Sequence, residues 1–548
     1  MAIQTKQNNS EYEGAQSICS EHSIPDILLK IGALYAFNKT PSTVISEPHA
    51  IRFVLANDDP ACERKIPILK ARELVEKINR ANEIIVPGRN GIRNSEVFPD
   101  IINGKYPPDL KINEDLIVGA SSTITNPGSP GAMICYGLNR YLPLNDILIR
   151  ELRIDVVSAY RTASLFHKRG VDFLDRIEGS TQERFFECIQ NRPISKMVAP
   201  PKDFLNCWEK IYRFNKDEIG STLYGRPVDW NLIDFLATDV VGLAKDRDFL
   251  NRWGILSLPS GDYQLLMPTS IIETITSAIH LELIRKMSQS DPAAYGDYSR
   301  RVGTIFEDIV RNEVETHWKG MKIRGPIKIF DKDGKTIGDI DILLENDQGK
   351  KILIECKGGM LRPKGRWGNT SYIGHDLERN VHHSSDQLVR ILDSYEGLKE
   401  SLIATFVIMD AYIPLVTTFV ERDPDLRKKL QTIPNPIFFS YYDFTYMMGK
   451  IDEISIFDFL TWRRRLMDNV YCIFGNEMDT IRSYVQSKTV EDDIIQKMAE
   501  KKVIFMMNGR DADYALKRHI EAMKRLGLSD FYEDLFNSTG PLQSMYWG

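Results

Sequence analysis

Between Gly338 and Lys357 the sequence GDIDILLENDQGKKILIECK alternates between apolar and polar residues in two runs that a short polar turn separates. Successive side chains of a β-strand point to opposite faces, so the alternation predicts two paired strands. Asp339 and Asp341 share one face of the first strand, and Glu355 and Lys357 share one face of the second. The opposite face of the first strand is predicted to carry Ile340, Ile342 and Leu344. The sequence therefore predicts a hairpin with acids and a lysine on one side.

Carboxylates and an ammonium group on a rigid hairpin are the outline of a metal-dependent hydrolysis site. Hard divalent cations such as Mg²⁺ prefer carboxylate oxygens as ligands. A cation bound in this way polarises a phosphate and makes a bound water more nucleophilic. The alternative is a solvated hairpin whose charged face simply meets water, which is common in antiparallel sheets. The segments on both sides of the hairpin distinguish these two interpretations.

The overall composition is that of an ordinary globular protein, with a formal net charge of −6. This charge argues against a protein that coats nucleic acid over its whole surface, but it is compatible with a local basic groove. The seven cysteines form no CxxC pair, so neither structural zinc nor a disulfide framework is predicted. No apolar run is long enough to span a membrane, and the first residues lack an apolar signal core. We therefore expect a cytoplasmic protein that does not contact a membrane.

At 548 residues the chain is too long for a single core, and its patterns predict four domains. Residues 1–145 are predicted to form an α/β region, with short strands at Ile51–Leu55, Ile84–Val86 and Leu116–Val118. Residues 146–295 are predicted to form a helical recognition or regulatory domain, ending in a polar linker at 288–299. Residues 296–442 combine helices with a mixed sheet, and residues 443–548 form a helical C-terminal region. The predicted fold class is thus multidomain α/β.

Three short motifs in residues 300–440 occur in an order that is typical of one nuclease superfamily. They are G-x-x-F-E-x-x-V at 303–310, G-D-I-D-I at 338–342 and I-L-I-E-C-K at 352–357. In this order, and on the predicted helix and strands, they resemble the PD-(D/E)xK, or restriction-endonuclease-like, nuclease superfamily. Gly338-Asp339-Ile340-Asp341 stands where the Pro-Asp dipeptide of the family is expected. The resemblance implies a mixed sheet flanked by helices and hydrolysis of phosphodiester bonds.

The resemblance also implies a role for individual side chains. The catalytic residues that it implies are Asp341, Glu355, Lys357, Glu307 and Gln387. Of these, Asp341, Glu355 and Glu307 would hold Mg²⁺, which Mn²⁺ could replace, together with the main-chain carbonyl of Cys356. Lys357 would orient or deprotonate the attacking water and offset charge on the phosphate. Gln387, on the helix after the hairpin, would be an accessory residue.

Two of these assignments have a competitor in the sequence. Asp339 shares a strand face with Asp341, which we prefer because it lies deeper in the apolar strand and fits the family spacing to Glu355 better. Glu313 lies nearer the middle of the apolar helix face than Glu307, whereas the family motif favours Glu307. Both choices are open at the level of sequence.

Residues 358–383 combine glycines with cations and aromatic side chains. Arg362, Lys364 and Arg366 have no acid close by in sequence and alternate with aromatic residues, which suits contact with the phosphates and bases of nucleic acid. A solvated loop is the alternative.

The function that these expectations support is a Mg²⁺-dependent nuclease, with double-stranded DNA as its substrate and the N-terminal half as a recognition or control module. By analogy with other nucleases that carry a large extra module, a restriction or antiphage defence role follows. Cutting both strands favours a homo-oligomer or a partner protein, because one centre cuts one strand at a time. The alternatives are an RNA-cleaving nuclease and a non-catalytic protein that binds nucleic acid or a partner. The presence of Asp341, Glu355 and Lys357 together argues against the second alternative.

Overall fold

The structure of the chain is a computed structural model. It describes residues 9–38, 47–56, 62–81, 130–172, 198–245, 252–266, 270–290, 292–330, 333–359, 375–395, 397–410, 420, 424–469, 472–474, 477–486, 504–506 and 512–530. The chain forms two compact units. The first comprises residues 1–85, 128–295 and 515–548, and the second comprises residues 86–127 and 296–514. The division of the sequence into four domains stays a prediction.

Helices and strands follow one another through the described residues. The helices are α1 (Asn9–Ser20), α2 (Ile24–Asn38), α3 (Glu47–Ala56), α4 (Ile68–Ala81), α5 (Pro130–Tyr141), α6 (Asn145–Leu152), α7 (Val156–Val171), α8 (Lys202–Tyr212), α9 (Lys216–Ile219), α10 (Trp230–Leu236), α11 (Val240–Lys245), α12 (Ser270–Ser290), α13 (Pro292–His317), α14 (His383–Ser394), α15 (Leu398–Ser401), α16 (Pro424–Leu430), α17 (Tyr441–Gly449), α18 (Ile456–Asn469), α19 (Glu477–Gln486) and α20 (Ala512–Leu526). A 3₁₀ turn covers Leu142–Leu144, and a π-helical turn covers Glu378–His382. The strands are β1 (Arg213–Phe214), β2 (Thr222–Leu223), β3 (Arg226–Pro227), β4 (Ala237–Thr238), β5 (Ile255–Ser257), β6 (Tyr263–Leu265), β7 (Lys322–Arg324), β8 (Ile327–Phe330), β9 (Thr336–Ile340), β10 (Ile342–Glu345), β11 (Lys351–Lys357), β12 (Leu402–Met409), β13 (Pro436–Ser440), β14 (Cys472–Phe474) and β15 (Ile504–Met506).

The first unit is mainly helical, and α5, α7 and α12 pack against one another in its core. Tyr141 of α5 donates a hydrogen bond to the Thr276 carbonyl of α12, and Tyr160 of α7 is hydrogen-bonded to the Thr276 hydroxyl. Beside these helices is a small sheet in the order β1-β6-β5-β4. The helical prediction for 146–295 missed this sheet, because its strands are only two or three residues long.

Two local predictions in the first unit are wrong. Ile51–Leu55, predicted as a strand, lies inside α3, since a short apolar run fits a buried helix equally well. The polar segment 288–299, predicted as a linker and domain boundary, is helical: it ends α12 and begins α13 at Pro292, where proline is compatible with the first turn of a helix. The boundary between the two units nevertheless falls inside it, between Tyr295 and Gly296. The predicted strands Ile84–Val86 and Leu116–Val118 lie outside the described residues.

A five-stranded mixed sheet forms the centre of the second unit, in the order β13-β12-β11-β10-β7. Strands β7, β10 and β11 are antiparallel, whereas β11, β12 and β13 are parallel. The central strands β11 and β12 are almost continuously buried because both of their faces are covered. Strands β8 and β9 pair separately as an antiparallel ribbon.

Helices cover both faces of this sheet. On one face, Leu353 and Val407 join a buried cluster with Leu388 and Ile391 of α14. On the other face, the Phe406 ring contacts Phe439, which in turn contacts a ring of α17. A mixed α/β architecture is therefore confirmed. No helix within the described ranges is long and apolar enough to cross a membrane.

The strands of the second unit largely follow the sequence prediction. The β10–β11 hairpin is confirmed, with Leu343 opposite Leu353. Strand β7 was missed because its three residues, Lys322–Arg324, alternate without a strong apolar signal. The predicted single strand Ile337–Leu344 is interrupted at Asp341, and this interruption shapes the candidate site.

Candidate active site

Asp341 lies at the bend between β9 and β10, where the chain changes its pairing partner. Strand β9 pairs with β8, and strand β10 pairs with β11 and β7. Ile340 and Leu343 belong to the same buried cluster, although three residues apart on one unbroken strand they would face opposite ways. The prediction that Ile340 shares a face with Ile342 and Leu344 is therefore wrong. The bend leaves Asp339 exposed and buries Asp341.

The buried Asp341 is held on both its side chain and its main chain. The Cys356 main-chain N–H donates to Asp341 Oδ2 at 2.6 Å, and Arg311 Nη2 donates to the Asp341 carbonyl at 3.2 Å. The N–H and C=O of one strand residue point to the same side, so the Cys356 carbonyl faces the same edge of β11 as Asp341. The Cys356 thiol is buried, and burial raises its pKa well above the ordinary value.

Gly325 approaches the Asp341 main chain more closely than any other residue type could. Its φ is +119°, and a Cβ at this position would lie 2.3 Å from the Asp341 carbonyl oxygen. Both the backbone conformation and the contact therefore require glycine. The chain entering β8 thus limits where Asp341 can lie.

Replacing Gly325 by alanine is expected to cost about 3 kcal/mol or more, because backbone strain and a main-chain clash add together. Gly334→Ala is the matched control, since Gly334 has a φ of +78° and a Cβ added there would meet nothing within 4 Å. That control should lose only about 1–2 kcal/mol through strain alone. Urea unfolding of the two variants measures the difference. Equal losses would show that the contact with Asp341 is unimportant.

Glu355, Lys357 and Gln387 meet on the face of the sheet that α14 covers. Lys357 Nζ donates to Glu355 Oε1 at 2.5 Å and to Gln387 Oε1 at 3.0 Å. The Glu355 side chain is only 1% exposed, and its second oxygen, Oε2, is buried without a hydrogen-bond partner among the residues that the structure describes. A buried carboxylate oxygen that lacks a donor is costly unless a cation or another donor approaches it.

Helix α13 presents its two candidate acids to different surroundings. Glu307 is half-buried and follows Phe306, whose Cβ would lie 3.4 Å from a Cβ built on Gly358, directly after β11. Burial raises the Glu307 pKa, and the charges of Asp341 and Asp339 raise it further. Glu313 is buried elsewhere: it accepts a hydrogen bond from Tyr441 Oη at 3.1 Å and lies 3.5 Å from His317 Nε2. The structure thus brings Glu307, and not Glu313, to the acid cluster.

The acids raise one another's pKa values. Burial and the neighbouring Asp341 charge raise the pKa of Glu355 to about 8, although Lys357 acts in the opposite direction. Burial, with Asp341 and Asp339, raises the pKa of Glu307 to about 7. Burial also raises the pKa of Asp341 to about 6, against the lowering effect of the Cys356 N–H. Without a further cation the cluster therefore holds protons at neutral pH.

This proton binding predicts how stability depends on pH in the absence of metal. Because the pKa of Glu355 is about 8 in the folded chain, against an ordinary value of 4.5, the folded state binds more protons between these pH values. The free energy of unfolding should therefore fall as the pH rises from 5 to 8, by about 1.4 kcal/mol for each pH unit that one such group contributes. The Glu355→Gln variant should show a flatter dependence. Urea unfolding in EDTA across this range measures both proteins, and identical slopes would contradict the prediction.

The donor set fits a hard divalent cation. Among the described residues, no three His, Cys, Asp or Glu side chains are arranged as a ready-made metal site. Mg²⁺, however, keeps several waters and usually takes only one or two protein carboxylates. The buried Oε2 of Glu355 and the Asp341 carboxylate are such donors, with Glu307 and the Cys356 carbonyl as further oxygens.

Most of the site residues expected from sequence thus lie together, and one participant was missed. Asp341, Glu355, Lys357, Glu307 and Gln387 form one cluster. Arg311, one turn after Glu307, was not expected; the i, i+4 spacing on α13 was the available signal. The predicted nucleic-acid-binding residues Arg362, Lys364 and Arg366 lie outside the described residues.

Comparisons with known proteins identify no relative, so the function of the chain is inferred from the site. No protein-family model, no curated protein and no solved structure matches the chain.

Proposed function

We propose that the chain is a Mg²⁺-dependent nuclease that hydrolyses phosphodiester bonds in DNA, with its active site in the second unit. The observation that carries the proposal is the Glu355–Lys357–Gln387 contact beside Asp341. An acid, a lysine and an amide that converge beside a second acid are unusual for a surface whose only role is solubility.

The topology of the second unit supports a restriction-endonuclease-like fold. The resemblance implies a mixed sheet flanked by helices, with an acid on the first helix, an aspartate on the second strand and Glu-x-Lys on the third. Strand β11 pairs antiparallel with β10 and parallel with β12, and α13 and α14 carry Glu307 and Gln387. This arrangement agrees with the resemblance noted in the sequence motifs.

The clustered side chains would have two separate roles in the reaction, metal binding and orientation of the attacking water. Asp341 and Glu355, with Glu307 and the Cys356 carbonyl, would hold the cation, which neutralises phosphate charge and makes its bound water more acidic. The Lys357 ammonium has three N–H donors, and within the described part of the chain Glu355 and Gln387 accept two of them; the third would orient a water or contact the phosphate. Gln387 and Glu355 thereby hold the ammonium in one position, which limits the water to one direction of approach.

Cleavage of supercoiled plasmid by the full chain tests the proposal. We expect cleavage in Mg²⁺ or Mn²⁺ and none in EDTA. A Glu355→Gln protein purified in the same way controls for contaminating nuclease and should leave the plasmid intact. Cleavage in EDTA, or equal cleavage by this variant, would contradict the proposal.

Single- and double-stranded DNA and RNA, tested side by side, separate the nuclease from its alternatives. Exclusive cleavage of RNA would change the proposed substrate from DNA to RNA and leave the proposed hydrolysis of phosphodiester bonds intact. Binding of nucleic acid with no cleavage of any substrate, in any metal, would favour a non-catalytic binding protein. A restriction or antiphage role remains part of the proposal and requires a separate assay of phage survival in cells.

A further inference from the structure

The π-helical turn Glu378–His382 places an arginine beside the end of the Glu-x-Lys strand. A Cβ built on Gly359 would lie 3.0 Å from Cζ and 3.0 Å from Nη2 of Arg379. Gly359 follows Lys357 by two residues, and two extended residues span about 7 Å. The guanidinium group of Arg379 therefore lies against the chain immediately beyond the proposed catalytic lysine.

We infer that Arg379 binds a phosphate of the nucleic-acid substrate next to the bond that is cleaved. This inference rests on the proposed function, and it names a substrate contact that the sequence motifs did not indicate. The guanidinium group is planar and presents paired N–H donors, which match the oxygens of a phosphate.

Exposure and charge both suit this role. The Arg379 side chain is 39% exposed, whereas its acidic neighbour Asp376 is 1% exposed and lies 3.4 Å from Arg379 Nη2. Asp376 is thus placed to hold the arginine from behind, and Nε of Arg379 is buried, while part of the arginine side chain faces solvent. Arg311, by contrast, donates to the Asp341 carbonyl on the acid side of the site.

The local backbone explains why the arginine can lie there. The extra residue of a π-helical turn changes the direction of side chains relative to a regular helix, and such turns are frequent at functional sites. The same turn buries Asn380 to 1% exposure and continues into α14, which carries Gln387; no described residue hydrogen-bonds Asn380 Nδ2. At Gly359, the absence of a side chain leaves room for the guanidinium group.

Binding of a labelled DNA duplex in EDTA, measured by fluorescence anisotropy over a series of salt concentrations, tests the inference. Arg379→Gln should weaken binding about tenfold or more, since it removes a charged hydrogen bond. It should also reduce the slope of log K against log salt by about 0.9. Arg379→Lys should restore the slope but only part of the affinity. In Mg²⁺, Arg379→Gln should raise KM with little change in kcat.

Two further variants separate phosphate binding from a merely structural effect. Arg390→Gln is the matched control, because Arg390 is an exposed arginine of the adjoining helix α14, and it should bind as wild type does. Gly359→Ala should displace only the flexible end of Arg379, weakening binding in the wild-type background and having no effect in Arg379→Gln. Thermal melting confirms that each variant is folded.

The outcomes distinguish this inference from the proposed function. Wild-type affinity and KM in Arg379→Gln, or an equal loss in Arg390→Gln, would overturn the role of Arg379 and leave Mg²⁺-dependent cleavage intact. A wild-type chain that neither binds nor cleaves any nucleic acid would overturn both.

Discussion

Replacing Lys357 by methionine is expected to lower kcat for DNA cleavage by about 10²–10⁴-fold, the usual contribution of a group that assists proton transfer. Methionine keeps much of the apolar length of lysine but removes the ammonium that joins Glu355 to Gln387. The attacking water would then lose its orienting donor, and the buried Glu355 would lose the cation that favours its charged form. Single-turnover cleavage rates at saturating Mg²⁺ measure the effect.

Lys351→Met is the matched control for this prediction. Lys351 begins the same strand β11, and its Nζ donates to Ser401 Oγ at 3.0 Å, away from the acid cluster. Its replacement should change the rate by no more than about twofold, as is usual for substitutions outside such a site. If Lys357→Met cut DNA as fast as Lys351→Met, the lysine would have no part in the reaction.

Replacing Asp341 by asparagine should reduce cleavage by about a hundredfold or more, because a neutral amide loses several kcal/mol of the cation's stabilising effect. Asparagine has nearly the same shape and can still accept the hydrogen bond from the Cys356 N–H, so the bend between β9 and β10 should persist. Cleavage rates over a series of Mg²⁺ concentrations, with calorimetric measurement of Mg²⁺ binding, separate weaker metal binding from slower chemistry.

Asp339→Asn decides between the two aspartates that the sequence left open. Asp339 is exposed on β9, and its charge acts on Glu307, Asp341 and Glu355 only as a smaller contribution. We expect this variant to lose much less activity than Asp341→Asn, within about tenfold of wild type, as for a residue outside the immediate ligand set. The reverse order would transfer the ligand role to Asp339.

Local periodicity and tertiary packing account for what could and could not be predicted from the sequence. The hairpin β10–β11 and the buried strand β12 could be predicted, because apolar alternation and apolar runs are local signals. The bend at Asp341 could not, since it arises from a change of pairing partner, and nothing in the residue pattern records which strand β9 will join.

The roles of individual side chains also depend on tertiary contacts that the sequence does not show. Glu307 and Glu313 lie on one helix, and tertiary contacts decide which of them joins the acid cluster. Glu313 instead accepts a hydrogen bond from Tyr441, which is 128 residues later in the chain. Arg379 could not be assigned because its position depends on the space above Gly359, which is a tertiary contact. From the sequence, Gln387 could be assigned to the site only through the family resemblance. In the structure, the hydrogen bond that it accepts from Lys357 explains why a glutamine lies there.

The junction at Asp341 also determines which changes of chain length the site can tolerate. Inserting one residue into a continuous strand turns every later side chain to the opposite face. Here the ladder of β9 with β8 ends before Asp341, and the ladder of β10 with β11 begins after it, so the two registers are set independently. A change in the length of the ribbon β8–β9 is therefore expected to leave the register of β10 with β11 unchanged, while the Cys356 N–H keeps the aspartate in place. The contacts of Gly325 with Asp341, and the burial of Ile329 and Ile340, confine such changes to the end of the ribbon away from Asp341.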